Sequence, residues 1–113
     1  MLFHSDVYLP EQVASLIPKS VIKVDATSHA KQAAKSDRYG EFELPSYINL
    51  KFAKVFEIEI INNRLTKFAV RERYDNQFDI VMVITRDYNI KTAWLNENTD
   101  RHFTLDKNKY ESS

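Results

Sequence analysis

Between residues 55 and 96 the sequence passes through four apolar, strand-like segments separated only by short turn-forming breaks. This stretch constrains the fold more than anything else in the chain. VFEIEII (55–61) leads to Asn62-Asn63, LTKFAVRERY (65–74) to Asp75-Asn76-Gln77, and FDIVMVIT (78–85) to Asp87-Tyr88-Asn89, before IKTAWLN (90–96). β-Branched and aromatic residues fit a pleated, half-buried surface, and Asn and Asp tolerate the left-handed backbone of tight turns. Breaks this short cannot carry a chain across a sheet, so consecutive segments pair antiparallel. The expectation is a four-stranded antiparallel meander.

Side chains alternate along a strand. This sets Phe68, Val70 and Tyr74 against Lys67, Ala69, Arg71 and Arg73, and Phe56, Ile58 and Ile60 against Glu57 and Glu59. The pattern predicts one apolar face, with Phe56, Ile58, Ile60, Phe68, Val70, Ile80, Met82 and Leu95 largely buried. It predicts one open face, on which Lys67, Arg71 and Arg73 share a surface. In the last strand Ala93 and Leu95 read as core and Thr92, Trp94 and Asn96 as open. Ile90 and Trp94 also share a side, which leaves their burial as the alternative. Charges on the wet side of a half-buried sheet are the ordinary condition, so the cations read either as solvated surface or as a functional face.

Ahead of the meander, LPEQVASLIP (9–18) has helical spacing of Leu9, Val13, Leu16 and Ile17, with Pro10 in its first turn and Pro18 as its stop. SVIKVD (20–25) alternates like a short edge strand. A second helix is expected over 28–38, capped by Thr27 or Ser28, with Ala26, Ala30, Ala33 and Ala34 as a small-residue stripe that lets it pack closely. Gly40, the one glycine of the chain, follows its end. The fold class is thus α+β: two N-terminal helices packed on a four-stranded antiparallel meander, with the polar tail 96–110 folded back on its anchors Phe103 and Leu105. The 113 residues make a single domain.

Several function classes are excluded. With no cysteine there is no thiol nucleophile and no disulfide, and one glycine builds no phosphate-cradling loop. The three histidines, His4, His29 and His102, form no spaced metal motif, so neither metal nor cofactor is expected. No apolar run reaches the length of a membrane helix and no leader pattern is evident, so the expected location is cytoplasmic. Sixteen basic and sixteen acidic residues cancel. A nucleic-acid partner therefore requires local segregation of charge. Such segregation exists: residues 19–38 carry five cations against two aspartates, and residues 51–73 carry six against three glutamates.

The open-face cations Lys67, Arg71 and Arg73, with Thr92, Trp94 and two histidines, resemble equipment for metal-free RNA cleavage. That chemistry needs a base for the 2′-hydroxyl, an acid for the leaving oxygen and cations for the crowded phosphorane. Histidines move protons near neutral pH, arginine grips phosphate oxygens, and Trp94 offers a ring for a base. The competing readings are a helix–sheet contact for His29 and an edge-capping segment for the tail that bears His102.

The stretches SHAKQAAKSDRYG, KFAVRERY and IKTAWLNENTDRHFTLD, in this order of elements, resemble the barnase–EndoU–colicin–RelE group of small ribonucleases, many of them toxins. The resemblance spans about residues 26 to 106. It implies an endoribonuclease leaving a 2′,3′-cyclic phosphate, with His29, Thr92, and Arg71 or Arg38 matching the group's histidine, threonine and basic residue. Trp94 stands where the group has tyrosine, which leaves stacking as its role. The candidate catalytic residues are accordingly His29, Arg71, Thr92 and His102, and the candidate RNA contacts Lys67, Arg73, Trp94 and Arg38. The last stretch is also similar to small bacteriophage proteins; this similarity names no function, and a phage-encoded chain would act in a host cytoplasm. The expected partners are RNA and, beside it, a host protein or an antitoxin or immunity protein. The second reading, from another class, is a non-catalytic binding module of the same fold engaging a host protein or RNA.

Overall fold

The computed structural model describes residues 2–4, by backbone, and residues 15–100. Its strands are β1 (Leu2–His4), β2 (Val21–Lys23), β3 (Asp25–Ala26), β4 (Tyr47–Asn49), β5 (Lys54–Ile61), β6 (Arg64–Arg73), β7 (Phe78–Thr85) and β8 (Asn89–Glu97); the helix α1 is Ser28–Lys35. Turn chemistry fixes the central hairpins. Asn62 and Asn63 both adopt positive φ, 53° and 62°, as a two-residue turn between twisted strands requires. Asp75 closes the next turn by accepting the N–H of Gln77 and of Phe78 at 2.8 and 2.7 Å.

β5 to β8 pair consecutively and antiparallel. The sheet does not stop there: its order is β1-β5-β6-β7-β8-β3, with β1 antiparallel on β5 and β3 parallel on β8. β2 and β4 form a separate antiparallel ribbon in which Ile22 faces Ile48. The expected fold of two helices on a four-stranded antiparallel sheet is corrected accordingly. Among the described residues there is one helix, and the main sheet is mixed and six-stranded. Most of the helix expected over 9–18 lies outside the described residues, as does the tail beyond Asp100. The connectors flanking α1 carry their own strand pairing. Ile22, Val24, Ile48 and Leu50 turn into the core while Val21, Lys23 and Tyr47 face out.

α1 is fastened along β8 at both ends. Thr27 caps it, accepting the Ala30 N–H at 3.1 Å, while its hydroxyl lies 3.1 Å from both the Ile90 and the Lys91 carbonyl oxygens. Past the other end, Asp37 Oδ1 accepts the Leu95 N–H at 3.2 Å. Ala30 and Ala34 are buried between. The helix ends at Lys35 rather than 38, and Ser36 closes it by donating from its N–H and its hydroxyl to the Gln32 carbonyl. Gly40, with φ 109°, serves the turn after Asp37 instead of the helix terminus.

α1 and the ribbon pack on one face of the sheet, around Ile58, Phe68, Val70, Met82, Ile84 and Ile90. The other face is buried too: Phe56, Ala69, Val81, Val83 and Trp94 form a second cluster. Glu57, Arg71 and Thr92 lie with them at 1%, 7% and 5% exposure. The expectation of an open charged face is thereby overturned. Two bulges explain where alternation fails. One between Val55 and Glu57 turns Phe56 away from Ile58, and one in β8 at Lys91 sends Ile90 and Trp94 to opposite faces. Among the described residues no helix is long and apolar enough to cross a membrane.

Candidate functional site, a cleft between the helix and the last strand

Of the three cations expected on one open surface, Arg71 is buried and Lys67 is half-buried. Arg71 Nε meets Asp79 Oδ2 at 2.7 Å, and its Nη2 donates to the carbonyls of Glu97 and Asp100 at 3.0 and 2.6 Å. A guanidinium that joins β6 to β7, to the end of β8 and to the chain after it is a structural staple. Lys67 Nζ lies 3.9 Å from Glu59 Oε2, and Glu59 also accepts the Thr66 hydroxyl at 2.7 Å. Arg73 is exposed and donates to the Asp75 carbonyl. Arg71 and Arg73 line a hollow of about 250 Å³ together with Phe52, Lys54, Asn98 and the acidic Glu72, Asp79 and Asp100.

A different arrangement appears at the outer edge of β8. Thr27 and Asp37 set α1 beside this strand, and a cleft of about 400 Å³ opens between them. It is lined by His29, Ala33, Ser36, Asp37 and Arg38 from the helix side and by Thr92, Ala93 and Trp94 from the strand. Four of the candidate residues, His29, Arg38, Thr92 and Trp94, thus meet at one place, whereas Arg71 is not among the lining residues. His102 lies outside the described residues. His29 and Arg38 are exposed, while Thr92 and Trp94 are 5% and 6% exposed and form the floor. The Arg38 guanidinium stands 4.7 Å from the Tyr39 ring, which in turn lies 4.8 Å from Phe78.

The chemistry available here is limited. Asp37 has both carboxylate oxygens engaged by backbone N–H groups, Leu95 on one and Tyr39 on the other. Among the described residues that line the cleft, His29 is the side chain best placed to move a proton. No group of three or more His, Cys, Asp or Glu among the described residues suits a metal ion. Away from the cleft, burial raises the pKa of Glu72 on β6 above the ordinary glutamate value. Asp37 and Ser36 are the cleft residues that sequence reasoning missed. The signal for them is the polar pair directly after the alanine stripe, where a helix end and an Asx turn belong together. Comparison with family models, with curated proteins and with solved structures finds no match to this chain.

Proposed function

We propose that this chain is a non-catalytic binding module that holds RNA in the cleft between α1 and β8. The observation that carries this reading is the division of labour in the cleft. Two side chains that can carry positive charge, Arg38 and His29, are exposed at its rim beside Trp94, while the nearest carboxylate is committed to backbone N–H groups. Such a cleft attracts a phosphate and leaves a base or sugar to rest against an apolar floor. Incubating the protein with end-labelled RNA in EDTA tests it. The expected outcome is a retarded, uncut RNA, with retardation weakened by Arg38→Ala. A second reading, metal-independent endoribonuclease action, is favoured by one observation, that His29 lines the same cleft as Arg38 and Thr92. Products ending in 2′,3′-cyclic phosphate, lost in a folded His29→Ala variant, would establish that reading in place of the first.

A further inference from the structure

The ribbon β2–β4 carries a second surface suited to nucleic acid. The two segments that it joins, residues 15–24 and 46–54, contain Lys19, Lys23, Lys51 and Lys54 and neither aspartate nor glutamate. All four lysines are exposed. In a chain whose sixteen basic and sixteen acidic residues cancel, this is a marked local separation of charge. Aromatic side chains are interleaved with the lysines. Ile22 and Ile48 anchor the ribbon in the core, so alternation sends Lys23 and Tyr47, directly opposite one another, to the outer side. Tyr47 is 61% exposed and Phe52, in the turn after β4, is 80% exposed.

The turn that displays Phe52 is firmly built. The Phe52 and Ala53 N–H groups donate to the Asn49 carbonyl at 3.1 and 2.9 Å, and the Lys51 N–H donates to Asn49 Oδ1 at 3.1 Å. Lys51 Nζ stands 5.8 Å from the centre of the Phe52 ring. Leaving a ring in water forgoes the stabilisation that its burial would bring, and a fixed turn that does so beside cations presents it for contact. From these observations we infer that the outer side of the ribbon and the turn after it bind single-stranded nucleic acid. Unpaired bases stack on Tyr47 and Phe52, and Lys19, Lys23 and Lys51 hold the phosphates. A duplex hides the faces of its bases from such rings. This inference rests on the reading of the chain as an RNA-binding module but assigns contacts on a different surface from the cleft.

The test is fluorescence anisotropy of a labelled oligouridine with the full chain, its Tyr47→Ala, Phe52→Ala, Tyr47→Phe and Lys23→Ala/Lys51→Ala variants, and the cleft variant Arg38→Ala. Each aromatic-to-alanine change is expected to weaken binding roughly fivefold to a hundredfold, and Tyr47→Phe to retain most of it. The double lysine change is expected to lower the slope of log affinity against log salt by about 1.4. All these side chains are exposed, so melting temperatures should stay near that of the parent protein. Loss of affinity in Arg38→Ala alone would overturn the ribbon surface and keep the cleft. Loss in the ribbon variants alone would keep the ribbon surface and overturn the cleft, and an oligouridine that does not bind would overturn both. Binding to phosphatidylserine vesicles, abolished by Phe52→Ala, without any binding of oligouridine would make this surface a membrane contact and sink the inference.

Discussion

The two faces of the sheet are built from the same four long strands, yet they solve burial differently. The face beneath α1 and the ribbon is apolar almost throughout, with Phe68, Val70, Met82 and Ile84 all fully shielded. The opposite face mixes a small apolar cluster around Phe56 and Trp94 with Glu57, Arg71 and Thr92, and still keeps these polar side chains out of water. The difference teaches that charge alternating with hydrophobic residues along a strand does not by itself mark a solvated face. What matters is whether the charges find partners, and Arg71 finds a carboxylate and two carbonyls.

The sharpest way to break this comparison is to truncate one large ring on each face. Phe68→Ala and Phe56→Ala should each lower the unfolding free energy by about 3–5 kcal/mol in urea denaturation, since both rings are buried. A near-neutral Phe56→Ala would return the second face to solvent. Next in size, Arg71→Ala should cost about 3 kcal/mol, at the lower end for a broken buried pair because Asp79 keeps 19% of its side-chain surface exposed.

The attachment of α1 gives a smaller effect. Thr27→Ala removes the helix cap and the hydroxyl contact with β8, and should cost about 1 kcal/mol by thermal unfolding. Thr27→Ser should recover most of that loss. Smallest is Glu72. Its folded-state pKa is raised by burial, so its contribution to stability is fully present below the unfolded pKa and is lost as pH rises through the folded value. Glu72→Gln should therefore flatten the stability–pH profile in that window and raise stability at neutral pH by no more than about 0.5 kcal/mol, because the group is only partly buried. An unchanged profile would show that burial of Glu72 carries no penalty.

Much of the meander is legible in the sequence because its turns are local chemistry: Asn62-Asn63 and Asp75 close their own hairpins wherever they occur. The capped start of α1 is legible for the same reason. The bulges at Phe56 and Lys91 are not, because one extra residue in a strand is decided by the register of its partner. They are what reverse Phe56 and part Ile90 from Trp94. The parallel pairing of β3 with β8 rests on two residues, too few for any period to show. The cleft is half legible. His29, Thr92 and Trp94 can be nominated from their types and Arg38 from the resemblance, and all four line the cleft, although Thr92 and Trp94 are buried rather than open. Arg71 looked equally suited, but Asp79 and the carbonyls of Glu97 and Asp100 reach it only through the folded register.

Arg71 lies in the interior, whereas Arg38 stands at the rim of the cleft proposed to bind RNA. The direct measurement is a pair of melting curves and RNA-binding isotherms for Arg71→Ala and Arg38→Ala, with binding recorded at a temperature where both remain folded. Arg71→Ala is expected to melt well below the parent protein yet bind RNA with unchanged affinity, and Arg38→Ala to melt like the parent and bind more weakly. An Arg71→Ala variant of parental melting temperature that no longer binds RNA would contradict this assignment.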